Sequence, residues 1–352
     1  MDKTQVSLWE PHDFNFEAEV KKDNLFKVDF NATVKGPEGE KINLPGFYNG
    51  DNIWTIRFSP TKMGTWEFVT ESSIPELNNK KEKIKVLENN NENVHGGLKV
   101  DPNNKHHFIF EDNQRFFLMG YECDWLWAMD REDQETLVDK IKDKGFNYII
   151  LNIFAYDTGW RKGKTGDDDY GPPELFPWEG TNENPDHSKF NIKFWKKYDE
   201  TIEMLYQKGM IAHIFFKVYN KQVNWPEAGS VEDNLYFKHV ISRYCSYPNV
   251  VWDFSKEAFN ERDNDYKRGR FEFIKNHDPY NRLLTCHDEH NDNFGRFNDI
   301  LDFRTDQRHI KYYDTIIEQR SQNHWPIFNS ETSSLTIVEK DIFYHYLKCI
   351  LS

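Results

Sequence analysis

The sequence predicts an all-β sandwich followed by a (β/α) barrel of TIM type that lacks its eighth strand. Three observations predict it. Residues 1–98 alternate apolar and polar side chains with period two, between turns rich in Gly and Pro. From about residue 105 short apolar runs alternate with helix-period segments. Two of those runs end in glutamate, Glu257 and Glu331, and only 21 residues follow the second.

The strands of the sandwich are read at Phe14–Val20, Val28–Val34, Ile53–Phe58, Thr65–Thr70 and Lys83–Leu87, with Gly46, Gly50, Pro60 and Gly64 at turns. The last strand lies in an Asn/Glu/Lys-rich stretch, Asn78–Asn93, and Gly96-Gly97 marks the boundary. Residues 105–352 form the second unit. Its strands are expected at Phe116–Gly120, Phe146–Phe154, Met210–Val218, Asn249–Phe254, Arg282–Cys286, Ile300–Arg304 and Pro326–Asn329. Helices are expected at Asp133–Lys144, Phe194–Lys208, Val231–Cys245, Tyr266–Asn276, Ile310–Asn323 and Ile337–Ile350. Leu137, Val138 and Ile141 share one helix face, and Gly145 and Gly209 stand where C-caps belong. Such a series implies parallel strands with right-handed crossovers. With no residues left for an eighth strand, the first and seventh should keep unpaired edges. That predicts a homo-oligomer or a complementary C-terminal polypeptide.

Composition narrows the function. Hydrophobic residues make up 38% of the 352 positions and mean hydropathy is −0.85. No run approaches the roughly 18 apolar residues of a membrane span. Met1–Glu10 lacks the layout of a signal peptide, which predicts a cytoplasmic protein. A net charge of −14 disfavours nucleic acid and anionic membranes as partners. The four cysteines have neither C-x-x-C nor metal spacing and read as free thiols, so no cofactor or metal is expected. Aromatic residues are 16% of the chain, with 11 Trp. Each Trp reads first as core and second as a sugar platform. The segment Ala155–Asn191, with Trp160, Tyr170, Phe176 and Trp178, is too long for a plain connection and reads as one wall of a cleft. Its Asp167–Asp169 run reads as a solvated acidic turn rather than a calcium loop.

Carboxylates at the C-terminal ends of parallel strands face the functional side of a barrel. Glycosidic cleavage needs a carboxylic acid to protonate the leaving oxygen. A second carboxylate attacks the anomeric carbon or activates water. Glu257 is read as acid/base and Glu331 as nucleophile. A lone strand-end Glu is also what a helix N-terminus favours. Two of them, on the fourth and seventh strands, outweigh that reading.

This arrangement resembles the clan A retaining glycoside hydrolases, whose acid/base and nucleophile end strands four and seven. Leu8-Trp9-Glu10, Gly46–Asp51, Arg57-Phe58-Ser59-Pro60 and Met63–Trp66 resemble an N-terminal sandwich domain of unknown function that precedes such barrels. The barrel resembles the apiosidase-like group, also labelled collagen-binding. The resemblance implies an intracellular retaining glycosidase acting on a carbohydrate substrate. In clan A an Asn usually precedes the acid/base; here that position is Lys256, and Asn260-Glu261 offers a second-ranked pair.

Other strand ends supply substrate-binding candidates: Glu122, Asp124 and Trp125 after the first strand, Asn152 and Tyr156 after the second, and Lys217 and Tyr219 after the third with Trp225 beyond. Lys256 ends the fourth, His287 the fifth, and Gln307 and His309 follow the sixth. The His287–His290 run lacks the i, i+4 spacing of a zinc pair. Two rival functions remain at this stage: a degenerate carbohydrate-binding protein without turnover, and a protein-interaction module.

Overall fold

The computed structural model describes residues 4–155, 173–289, 297–307, 317–318, 320–322 and 325–331, with Asp288, Glu289 and Glu331 described by their backbone. The N-terminal region is strand-rich. Its strands are β1 (Thr4–Ser7), β2 (His12–Glu17), β3 (Phe30–Lys35), β4 (Lys41–Pro45), β5 (Phe47–Tyr48), β6 (Ile53–Phe58), β7 (Gly64–Ser72) and β8 (Lys81–Leu87). They form two sheets, β1-β8-β7-β3-β4 and β2-β6-β5. Phe30, Val34, Trp66 and Phe68 from one sheet meet Phe14, Trp54 and Ile56 from the other in a single core. Period-two alternation is what gives each sheet one apolar face to bury.

A small antiparallel sheet follows: β9 (Leu98–Val100), β10 (Phe108–Phe110) and β11 (Arg115–Phe116). This corrects the expected first barrel strand, because Phe116 pairs backwards with Phe108 and Phe117 is largely exposed. The first parallel strand is β12 (Gly120–Glu122), four residues later than expected. After it come α1 (Arg131–Asp143), β13 (Tyr148–Asn152), the hairpin β14 (Trp178–Gly180) and β15 (Pro185–Phe190), α2 (Ile192–Gln207), β16 (Ile211–Val218), α3 (Val231–Tyr244), β17 (Val250–Lys256) and α4 (Asn264–His277). The chain continues through β18 (Leu284–Thr285), β19 (His287–Glu289), β20 (Arg304–Gln307) and β21 (Ile327–Glu331). The sixth strand thus also starts later than Ile300, where the chain is still in a turn. The hairpin β14–β15 lies within the long Ala155–Asn191 segment. Asp167–Asp169, Trp160 and Tyr170 lie outside the described residues, as do His290, most of Ile310–Asn323 and all of Ile337–Ile350.

Strands β12, β13, β16, β17 and β18 pair in that order, all parallel. Strands β19, β20 and β21 continue the parallel series, with Cys286 alone separating β18 from β19. The array curls: the Phe328 ring of β21 packs 5.7 Å from Tyr148 of β13 and lies against Gly120 of β12. Its inner face holds Tyr148, Ile150, Phe215, Val251 and Phe303, and the small sheet adds Leu98, Phe108, Phe110 and Phe116 to this cluster. Its outer face packs on the helices through Phe216, Trp252, Phe254, Phe237 and Phe271. Burial on both faces explains why β17 has no exposed position among its seven residues. Ser230 and Asp263 cap α3 and α4 by accepting backbone N–H bonds, and Gly209 takes φ +68° just past α2.

The strand-rich layers dock on the barrel through a buried charge network. Arg57 on β6 is bonded to Asp13 at 2.7 Å, to Asp199 of α2 at 3.3 Å and to the Arg243 carbonyl of α3 at 2.7 Å. Arg243 completes it through Asp199 and Asn49. The residues on which an open barrel edge turns, 332–352, lie outside the described ones.

Candidate active site

Parallel pairing puts the C-terminal ends of these strands at one end of the array. A polar hub lies just below that end. Four donors converge on the buried Asp253 carboxyl: His213 Nε2 at 3.0 Å, Thr305 Oγ1 at 3.3 Å, and the backbone N–H groups of Ser255 and His287 at 3.0 and 2.9 Å. Tyr148 Oη lies 2.7 Å from His213 Nδ1. The carboxylate assigns the imidazole proton to Nε2, leaving Nδ1 to accept from the Tyr148 hydroxyl. The hub ties strands β13, β16, β17, β19 and β20 and gives the floor of the mouth a fixed shape.

On this floor stand Asn152 and His287. Both are buried, and among the described residues neither the Asn152 amide nor the two ring nitrogens of His287 has a hydrogen-bond partner. Asn152 pairs in register with Phe215, whose ring stacks 5.5 Å from His287. Burial first, then the charges of Lys256 and Arg304, pushes His287 well below the usual histidine range. A neutral imidazole offers one N–H and one lone pair, and an amide offers both kinds of group as well. That combination matches a hydroxyl, which donates and accepts.

The strand-one side of the mouth carries Glu122 and Asp124. Lys256, from the end of β17, reaches both: its Nζ is paired with Glu122 and lies 3.2 Å from Asp124 Oδ2. Burial raises the Asp124 carboxyl. The Lys256 ammonium and the Glu122 hydrogen bond outweigh that and hold it below the usual carboxylate range. Arg304 and Asp306 form a further buried pair at 2.8 Å on β20.

Glu257 follows Lys256 in the left-handed region, at φ +51° and ψ +48°. For a non-glycine residue this costs on the order of 1–3 kcal/mol. The turn directs its half-buried carboxylate sideways. There Asn220 Nδ2 donates to Oε1 at 2.6 Å and Asn260 Nδ2 donates to Oε2 at 3.2 Å. Glu331 closes β21. A register shift between Asp306 and Gln307 sets Glu331, rather than Ser330, opposite Gln307.

The structure thus gathers Glu122, Asp124, Asn152, Lys256 and His287 around the mouth, with Gln307 at the edge of β20. Other sequence candidates go elsewhere. Trp125 is buried in the wall, its Nε1 bonded to the Ala155 carbonyl at 2.9 Å, so it offers no open face. Lys217 is turned outward under α3 and α4, bonded to Tyr266. The Tyr219 ring lies 6.0 Å from that of Phe254, tilted by 40°, on the same side. Trp225 donates to the Val218 carbonyl and packs among Trp178 and Tyr236. Tyr156 and His309 lie outside the described residues. Sequence reading missed Asn220 and the Asp253–His213–Tyr148 hub. The signal for the hub was present: His213 and Asp253 are polar residues on inward-facing rows of apolar strands.

Residues 102–336 match the family described as Apiosidase-like, catalytic domain, and residues 5–73 match one described as Domain of unknown function (DUF5060). Among solved structures, a provisionally assigned glycoside hydrolase from Bacteroides vulgatus superposes with a TM-score of 0.80 at 24% identity, over 92% of this chain and 64% of that one. The chain therefore spans a little under two thirds of that relative's length. A second structure, described as a glycoside hydrolase, gives 0.50 at 17% identity over 68% of this chain and 56% of the other. At these identities the likeness shows the fold. No curated protein matches the sequence. The match over 102–336 covers most of the chain, which belongs to the Apiosidase-like catalytic-domain family.

Proposed function

We propose that the protein is a retaining glycoside hydrolase that cleaves O-glycosidic bonds in oligosaccharides by double displacement, with Glu331 as nucleophile and Glu257 as acid/base. In the first step a Glu331 oxygen bonds to the anomeric carbon as the glycosidic C–O bond breaks. The leaving oxygen takes the proton of the Glu257 carboxylic acid. In the second step Glu257, now a carboxylate, takes a proton from water. The water oxygen bonds to the anomeric carbon and Glu331 is released. Asn152 and neutral His287 bind hydroxyls of the sugar. Glu122 and Asp124, held by Lys256, accept from others along the strand-one side.

One observation carries this reading: the ends of β12, β17 and β21 bring three acidic segments to the same end of one parallel array. The strand positions of Glu257 and Glu331 support their division of labour. Turnover of a panel of aryl glycosides tests the activity. Glu257→Ala should lose most rate on poor leaving groups, keep more on activated ones, and recover with azide. Equal loss on both kinds, without rescue, would move the acid to Glu261 or Asp124. Glycan binding with no turnover on any substrate would leave a carbohydrate-binding protein.

A further inference from the structure

Lys217 belongs to a buried polar cluster that the proposed chemistry does not use. The residue is the last but one of β16 and is 2% exposed. Its Nζ donates to the Tyr266 hydroxyl at 2.8 Å and lies 2.7 Å from Asp233 Oδ1, an ion pair by distance though not aligned as a hydrogen bond. The Tyr266 hydroxyl in turn donates to Asp233 Oδ2 at 2.9 Å. Arg270 Nη1 approaches the same oxygen at 3.3 Å. Asp233 sits in the first turn of α3 and Tyr266 in the first turn of α4. Three chain segments therefore meet at one buried set of charges. Such a set is costly to desolvate, so its geometry is held tightly.

Each side of this cluster runs within a few residues into a group that touches Glu257. Three residues beyond Lys217 is Asn220, which holds Oε1. Asn260, which holds Oε2, lies in the turn between Glu257 and α4. Two further bonds close the frame: Tyr219 N–H donates to the Lys256 carbonyl at 3.2 Å, and Lys267 Nζ donates to the Ala258 carbonyl at 3.3 Å. Asn220 and Asn260 are themselves exposed. Their convergence on one carboxylate depends on how the backbones beneath them are fixed.

We propose that the Lys217–Tyr266–Asp233 cluster positions the Glu257 carboxylate, by locking the segment after β16 to the first turn of α4 so that Asn220 and Asn260 meet on its two oxygens. The inference rests on the reading of Glu257 as acid/base. Tyr266 is the positioning residue, because its single hydroxyl carries the bonds to both Lys217 and Asp233.

Tyr266→Phe tests it, since the ring stays and only the hydroxyl is lost. Rates are compared on phenyl and 4-nitrophenyl glycosides of the same sugar. The poor phenyl leaving group should lose roughly ten- to a hundredfold in kcat. The activated one should lose less than about threefold. Equal losses on the two glycosides would reduce the cluster to helix packing and overturn the proposal. A second readout needs no substrate. The side-chain amide signals of Asn220 and Asn260, assigned with Asn→Asp variants in perdeuterated protein, should shift in Tyr266→Phe and in Glu257→Gln. The Asn43 signal, on β4, should not. Unmoved Asn220 and Asn260 signals in Tyr266→Phe overturn the positioning role. If those signals move while Glu257→Gln leaves both glycosides unaffected, the positioning stands and the catalytic reading of Glu257 falls.

Discussion

Replacing Lys256 by Met removes a cation that Glu122 and Asp124 share while keeping a side chain of similar length. The Lys256 side chain is 7% exposed and its partners 23% and 20%. Breaking a buried pair typically costs about 3–5 kcal/mol. Partial exposure of the two carboxylates discounts this to roughly 2–3 kcal/mol at neutral pH. The pH dependence follows from Asp124, whose folded value lies below its unfolded value of about 3.9. A depressed acid contributes stability that is fully present above the unfolded value and lost as pH falls through the folded one. The variant lacks that contribution and sets two carboxylates against each other. The stability difference should therefore be full at pH 7 and smaller at about pH 3, below the unfolded carboxyl value, where part of the Asp124 contribution is lost. Urea unfolding followed by tryptophan fluorescence at the two pH values measures it. An equal difference at both would mean that Lys256 contributes through packing of its stem and not through its charge.

Three further outcomes are expected. Arg57→Met leaves Asp13 and Asp199 without their shared partner and should cost about 3–5 kcal/mol, read by urea unfolding, with faster proteolysis between the strand-rich layers and the barrel. Gly120→Ala places a Cβ 2.6 Å from the Phe328 ring and should destabilise by roughly 1–3 kcal/mol in thermal unfolding, an effect that Phe328→Leu relieves. His287→Phe fills a buried neutral site without adding charge. It should leave folding nearly intact but raise KM for any glycoside the protein turns over, as expected where a polar group unpaired among the described residues serves a ligand hydroxyl.

Much of this architecture was legible because its signals are local. The seven buried residues of β17 and the glycines that end α1 and α2 follow from runs and periods of a dozen residues. The first barrel strand was misplaced because Phe116–Gly120 is as apolar as a parallel strand. Only its pairing with Phe108, eight residues back, reveals a hairpin. Leu283 and Leu284 gave the fifth strand away, while the break at Cys286 left no trace in composition. At the site, counting strand ends found Glu122, Asp124, Asn152, Lys256 and His287. It could not foresee that Lys256 reaches across the mouth to strand one, since that contact joins positions 134 residues apart. Nor could it foresee that Lys217 turns outward to Tyr266 and Asp233, because the choice between barrel axis and helix layer is made by tertiary partners. The inward polar residues His213 and Asp253 were read as part of apolar runs, and their mutual bond exists only once β16 and β17 pair.

In the proposed double displacement Glu331 attacks the anomeric carbon while Glu257 delivers the proton. Trapping with 2-deoxy-2-fluoroglycosyl fluorides of the sugar that is turned over, followed by intact-mass measurement and peptide mapping, tests it most directly. The account predicts one glycosyl unit added per chain, carried on Glu331, and no label on Glu331→Gln. A label on Asp124 or Glu122, or steady turnover with no trapped intermediate, would contradict it.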